Sequence, residues 1–510
     1  MTTLLMIAAL LLTTVAVVAV GERIGLPWPA LLTIVTAGAF LVPGIPELEI
    51  PSELILPVFL PPLLWALARR TSWPVIRGQL STIVSLSVLL VFATIAVLTG
   101  VTLLLLPGIG VAAAIVLAAA LAPPDPVAVD AVAEPVGIPR RIITSLQSEG
   151  LFNDAASIVT FHVALGALVA GSELSWTAGV LSFLWSVIAA VALGLLSGRL
   201  SAWFTDHVPS VEASNALTWV LPFAIYLLAE EVGASGVIAI VIAAVEMNSR
   251  ASIGAEDRLS GGAFWGTVEI LFTGVAFGLI GLSVRDAVEE VGSDLWAAVG
   301  VGVVLSLAAI AVRFLWLWGS YRINRWRGRT NTAPLRMQEA LLMSWAGMRG
   351  LVTLALVLSI PSGFFPFHHE LAVIALVVLL ITMVLPALTL PWLMGRLNLE
   401  QGPDAAGDQA RAELVERVRR AARAHLEEHP EVPTERIDAI RQWISRELGD
   451  DTEAAGRFAE QRRAAGKLRL GALRAAQEEL IAARREPGVN PAYVDEVLGT
   501  VDRMILAAER

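Results

Sequence analysis

The sequence contains no cysteine, which excludes disulfides, cysteine-ligated iron–sulfur clusters and thiolate metal sites. It contains one lysine, Lys467, among 36 basic side chains, so no lysine elsewhere can act as a catalytic or ion-coupling group. Charge of either sign is scarce: 16% of the 510 residues are Asp, Glu, Lys or Arg, against about 25% in a soluble protein. The scarcity is uneven. Residues 400–510 carry 40 of the 82 charged side chains, which leaves 42 for residues 1–399. A body so poor in charge cannot cover a globular surface of its size, and an ordinary cytosolic enzyme is excluded. The net charge of −10 is divided between two solvents and says little by itself. What the body has instead is apolar length, and the chain reads as an all-α polytopic membrane protein with a soluble tail.

A helix needs about 20 apolar residues to cross about 30 Å of hydrocarbon. Thirteen stretches are read as spans: residues 3–20, 28–42, 53–68, 79–105, 110–133, 143–170, 176–198, 212–229, 234–248, 261–283, 294–320, 335–359 and 371–394. The first resembles a signal peptide in length but lacks a basic leading region and a clear small-x-small cleavage site, so it is expected to remain as a helix. With thirteen spans and the tail inside, fourteen arginines fall on inside segments and Arg285 alone on the outside ones. Positive charge collects on the cytoplasmic side, so the N-terminus is expected outside and the tail in the cytoplasm of a cell-membrane protein. Residues 1–399 are expected to form a transmembrane domain and residues 400–510 a helical cytoplasmic tail. In the tail, residues 404–408 read as a linker and 411–428, 434–448, 453–486 and 491–509 as helices, punctuated by Pro430, Pro433, Pro487 and Pro491.

A charge at the bilayer centre costs at least about 2.5–3.5 kcal/mol, so each intramembrane ionisable group is a functional candidate. The run from Leu121 to Asp130 sets Asp125 between Pro124 and Pro126 in an apolar helix. Each proline removes an N–H donor and disturbs the preceding turn, which predicts an unwound segment with free carbonyls, as in transporters. Asp125 could hold an ion there or cap the following half-helix; Asp130 and Glu134 read as funnel or surface charges. A second cluster places Asn153 and Asp154 four and five residues after Glu149, near one helix side. A third sets Arg349 between Gly347 and Gly350, with Arg313 embedded in the preceding span. An arginine is always protonated, so each needs an acid or a helix C-terminus beside it. Glu269 reads as a further buried acid, and Glu230, Glu231 and Glu246 as span-end groups.

These pieces together resemble the NhaP-type monovalent cation/proton antiporters, bacterial relatives of the animal sodium/proton exchangers. The resemblance rests on Phe59 to Leu64 with its Pro61-Pro62 pair, Asp125-Pro126, Glu149 with Asn153-Asp154, Ala229-Glu230 followed by Ser235-Gly236-Val237, Phe264-Trp265 leading to Gly281-Leu282, Arg313, and Gly347 to Gly350. They run in family order across nearly the whole body; the tail is not covered with the same specificity. The resemblance implies a homodimer, two inverted six-helix repeats, and crossed broken helices in the fifth and twelfth spans, the NhaA-like antiporter fold. It implies Asp154 as the ion- and proton-binding carboxylate, Asn153 and Asp125 as support, a Glu149–Arg313 ion pair, and Arg349 at the second break. Three positions depart from the family pattern: Pro124 stands where Thr is common, Gly150 where some members carry a Ser ligand, and Ala66 where many carry an acid.

The mechanism expected is alternating access, with H⁺ and a monovalent cation (Na⁺, with Li⁺ or K⁺ as alternatives) competing for Asp154 beside Asp125. Electrogenic NhaA-type relatives have paired aspartates and a membrane lysine. The pair here is Asn153-Asp154 and no lysine lies in the body, so exchange is expected to be electroneutral, one for one. The nearest rival is a K⁺/H⁺ antiporter; an ion channel or proton-conducting subunit is a different class, which the paired helix breaks disfavour. A membrane enzyme finds no nucleophile motif, nucleotide loop or metal-binding histidine spacing among the six histidines. No resident cofactor and no nucleic-acid partner are expected; the partners are the transported ions, the lipid bilayer and a second copy of the chain.

Overall fold

The computed structural model describes residues 2–24, 27–40, 52–125, 138, 140–171, 176–208, 210–250, 255–328, 333–361, 365, 367–397, short pieces between 413 and 425, 459–486 and 488–509. Among the described residues every regular element is helical. Helices occupy all thirteen apolar stretches: α1 (Thr2–Ile24), α2 (Trp28–Phe40), α3 (Ser52–Ala68), α4 (Trp73–Leu105), α5 (Val111–Leu121), α6 (Arg140–Gly150), α7 (Asn153–Ala170), α8 (Trp176–His207), α9 (Val211–Glu231), α10 (Gly236–Arg250), α11 (Ala255–Val291), α12 (Leu295–Trp326), α13 (Met337–Trp345), α14 (Leu351–Leu358) and α15 (His368–Leu397). Seven described helical segments are long and apolar enough to cross a bilayer by length and composition.

Leu, Ala, Val and Ile supply the helical propensity, and local chemistry sets the stops. The left-handed Gly171 ends α7, donating to Leu168 O at 3.2 Å. Ser210 caps α9 by accepting from the Ala213 N–H at 3.2 Å. The helices pack as two sets: α1–α3 with α8–α11, and α4–α7 with α12–α15. The second set contains both interrupted helix pairs.

Two features differ from the sequence reading. The stretch 143–170 is broken by a turn at Leu151–Phe152, so Glu149 ends one helix while Asn153 and Asp154 begin the next. Within α4, residues Val84–Leu89 form a π-helical turn, a widening that shifts side-chain register and frequently marks functional sites.

In the tail, α16 (Ala459–Ala483) and α17 (Pro491–Glu509) form a hairpin. Its apolar core includes Leu473, Leu480, Val494, Leu498 and Ile505, joined by Leu414. α17 also packs against α11 of the membrane body. The expected helix 434–448 and linker 404–408 lie outside the described residues. Arg417 clasps the hairpin, reaching Glu479 at 2.7 Å and Glu486 at 2.8 Å. These hydrogen bonds hold the Glu486 carboxyl below its ordinary 4.5. A carboxyl lowered on folding stabilises fully above its unfolded value, and that contribution fades as pH falls through the folded one. Limited proteolysis of the tail is therefore expected to be flat across the neutral range and to quicken only in acid below about pH 4.5. An Arg417→Ala chain should already be nicked faster at neutral pH.

Candidate functional site

The site begins where two helices come apart. α5 ends at Leu121, and residues 123–125 leave the helix at Pro123 and Pro124; Pro126, Asp130 and Glu134 lie outside the described residues. The twelfth stretch unwinds over residues 346–350 between α13 and α14. The two gaps meet. The Asp125 N–H donates to Met348 O at 2.6 Å, the Leu351 N–H donates to Asp125 Oδ2 at 3.2 Å, and Arg349 Nε donates to Leu121 O at 2.6 Å.

Each of these contacts puts charge where a helix end wants it. The N-terminus of a helix carries partial positive charge and its C-terminus partial negative charge. Asp125 caps α14, the partner helix, and the Arg349 guanidinium covers the carbonyl end of α5. The glycines follow from closeness. A side chain at Gly350 would overlap the Asp125 carboxylate, and one at Gly347 would overlap the Arg313 guanidinium. Gly350→Ala is expected to part the two gaps and sharply reduce function while the protein remains folded, because the displaced group is one carboxylate at a local crossing. Size-exclusion elution beside a transport assay checks it.

The start of α7 lies against this crossing. Asn153 is fully buried, and its Nδ2 donates to Pro124 O. Its Oδ1 accepts from the Asp154 N–H at 2.7 Å. One turn on, Ser157 Oγ donates to Ala119 O at 2.5 Å, pinning α7 to α5. Asp154 is 3% exposed and sits in the first turn of α7, where the helix end favours negative charge. Asp125 is near enough for the two carboxyl groups to interact electrostatically.

Glu149 faces the other way and is taken. Arg313 grips it with two hydrogen bonds, Nη1 to Oε1 at 2.5 Å and Nη2 to Oε2 at 2.9 Å, and Arg313 Nε donates to Met343 O at 3.1 Å. Both residues are at least 95% buried. The π-helical turn of α4 serves this pair: Ser87 Oγ donates to Glu149 O at 2.7 Å, and Ser85 Oγ accepts from Trp316 Nε1 at 3.1 Å. Arg349 lies within electrostatic reach of both Glu149 and Arg313.

The structure thus brings Asp125, Asn153, Asp154, Pro124, Arg349 and Gly350 together at the crossing, and places Glu149, Arg313 and Gly347 beside it. It does not bring Glu269 there: that carboxylate pairs with Arg70 at 2.5 Å, and both are partly exposed. Reading the chain missed Ser87 and Ser157, since a lone serine in an apolar helix more often bonds its own backbone. Ala66 is buried in α3, and the hydroxyl of Thr353, in α14 beyond Gly350, is buried without a hydrogen-bond partner among the described residues.

Two unwound helices crossing beside a buried carboxyl, with non-helical backbone enclosed by protein, define a secondary transporter of the broken-helix class. Residues 7–396 match the sodium/hydrogen exchanger transmembrane family, and the chain belongs to it. An uncharacterized Na⁺/H⁺ exchanger of Mycobacterium tuberculosis is 29% identical over 85% of this chain and 80% of its own length. A sodium, potassium, lithium and rubidium/H⁺ antiporter of Bacillus pumilus is 31% identical over 67% of this chain and 54% of that protein. The Na⁺/H⁺ antiporter ApNhaP of Aphanothece halophytica is 27% identical over 82% and 78%. The sodium/proton antiporter MjNhaP1 of Methanocaldococcus jannaschii superposes with a TM-score of 0.59 over 79% of this chain and 99% of that one, at 18% identity. That likeness is one of fold.

Proposed function

We propose that this chain is a monovalent cation/proton antiporter in which H⁺ and the cation compete for Asp154. One observation carries the reading. Among the described residues, Glu149 is neutralised by Arg313, whereas Asp154, equally buried, has no ion-pair partner. An ionised carboxylate enclosed by protein is too costly to leave uncompensated. Asp154 must therefore hold a proton or a cation, one at a time. Na⁺, Li⁺ and K⁺ are oxygen-seeking, and Asp154, Asp125 and Asn153 Oδ1 offer oxygens within one crossing. Alternating access then carries whichever ion is bound, the empty charged site crosses poorly, and exchange follows. No resident cofactor is needed for this cycle.

Na⁺ is the cation first expected, from the family. The cation range named for the Bacillus pumilus relative supports K⁺, Li⁺ and Rb⁺ as further cargo. A series of these salts added to proteoliposomes carrying a pH gradient separates the readings: dissipation by Na⁺ and Li⁺ alone marks sodium exchange, and dissipation by K⁺ alone marks the rival. One titrating carboxylate gives one cation per proton. An imposed membrane potential is therefore expected to drive no pH change in the lumen; a potential-driven change would refute the one-for-one ratio. The reading further takes residues 1–399 as a transport domain of two inverted six-helix repeats, with the N-terminus outside. Residues 400–510 are its cytoplasmic tail, and two copies form a dimer in the cell membrane.

A further inference from the structure

Where the tail meets the membrane body, a cavity of about 470 Å³ opens between the start of α4, the end of α10 and the tail hairpin. The first two of these walls are tied to each other. The Trp73 N–H donates to Ser249 Oγ at 3.3 Å, and Asn248 Nδ2 donates to Thr71 O at 2.9 Å. Four arginines line the space: Arg77 from α4, Arg250 from α10, and Arg484 and Arg485 just past α16. Glu246 is the one carboxyl in the described lining, and it is already engaged. It accepts from Trp73 Nε1 at 2.7 Å and Arg199 Nε at 3.0 Å, and pairs with Arg250 as well.

The positive charge is left in excess, and among the described residues two buried donors are left over. Arg484 Nη2 reaches Asp495 at 3.0 Å, yet its Nε is buried with no hydrogen-bond partner. Ser72 is 3% exposed, and its Oγ is also without a partner. It stands at the N-cap of α4 without a side-chain capping hydrogen bond, because the Trp73 N–H is taken by Ser249 Oγ, Pro74 has no N–H, and the Val75 N–H donates to Ser72 O at 3.1 Å. Behind the wall, burial and then the charges of Arg70 and Arg484 push the Arg69 guanidinium down to about 10. A ligand of opposite charge in the cavity relieves this crowding of cations.

We propose that this cavity binds a small organic phosphate, held among Arg77, Arg250, Arg484 and Arg485. Guanidinium forks match phosphate oxygens in geometry. A phosphate monoester brings about −1.5 to −2 charges, which suits four arginines better than a monocarboxylate does. The volume lies in the range of about 300–1,000 Å³ typical of small-molecule sites and is too large for inorganic phosphate alone. A soluble nucleoside phosphate and an inner-leaflet lipid headgroup share this chemistry. Because the walls come from both helix sets and the tail, the occupant ties all three together.

The test uses the full chain in nanodiscs and a readout independent of transport. In phosphatidylcholine discs, ADP is titrated while calorimetry records binding and hydrogen exchange records protection. A parallel arm replaces ADP with phosphatidic acid, a lipid phosphate monoester, in the disc. Saturable binding of either probe, with protection at residues 72–77, 246–250 and 481–486 together, supports the site, and the arm that gives it names the source. Arg484→Gln with Arg485→Gln is expected to weaken binding at least tenfold. Should that chain fail to fold, Arg77→Gln serves instead, with the same expectation. No binding in either arm, protection confined to one wall, or unchanged affinity in the variants would overturn the proposal. A failed antiport assay beside positive binding would count against the transport reading alone.

Discussion

Asp154→Asn is expected to abolish cation-driven dissipation of a pH gradient in proteoliposomes, leaving only the leak of protein-free vesicles. The substitution is close to isosteric. The hydrogen bond at this residue that orders the start of α7 runs from its own backbone N–H to Asn153 Oδ1, so it survives the change. What is lost is the ability to hold a proton or to offer a charge to a cation. Without either, the cycle has nothing to exchange. The elution profile and thermal midpoint should remain those of the parent. Near-parental exchange in Asp154→Asn would refute the assignment. Asp125→Asn gives the contrast, because an amide oxygen can still accept from the Leu351 N–H while the charge on the helix end is lost. A charge at a helix terminus is worth about 0.3–1 kcal/mol and up to about 2 in buried geometry, so a partial loss of roughly tenfold is expected there.

The Glu149–Arg313 pair carries the largest expected effect on stability. Removing one partner of a buried ion pair leaves the other charge uncompensated and costs about 3–5 kcal/mol. Glu149→Ala and Arg313→Ala should each lower the detergent thermal midpoint strongly and reduce the folded yield. The double variant Glu149→Leu with Arg313→Met should recover most of the loss, because apolar residues of similar volume often replace a buried pair without penalty. A double variant as unstable as either single one would show that Arg313 is needed for more than this pair, for instance its bond to Met343 O. If Asp154 alone titrates in transport, the pH profile of any exchange remaining in the double variant should match that of the parent.

Much of the site could be read from local chemistry. Pro124, Gly347 and Gly350 announce unwound backbone, since proline removes a donor and glycine admits close approach wherever they stand. Buried acids and arginines stand out because the apolar background makes each one costly. The break at Leu151–Phe152 is not legible in the sequence, because no proline marks it and Gly150 alone is weak punctuation. Glu269 reads as a buried acid, yet it is partly exposed and pairs with Arg70, a partner 199 residues away that its position along a helix does not reveal.

The sequence by itself determined that this is an all-helical membrane body with a charged tail, that two of its helices unwind at Pro124 and at Gly347 to Gly350, and that Asp125, Glu149, Asp154, Arg313 and Arg349 stand in its apolar stretches. Those properties are local, set by composition, periodicity and single residues. The Glu149–Arg313 pair is expected from the resemblance and is present; only the tertiary structure decided that Asp125 caps the partner helix, that Arg349 covers α5, that Asp154 has no ion pair among the described residues, and that tail arginines close a cavity on α4 and α10. Those contacts join residues far apart in the chain. Many helix arrangements satisfy the same apolar pattern, and the choice among them is made by which buried charges and helix ends can neutralise one another in space.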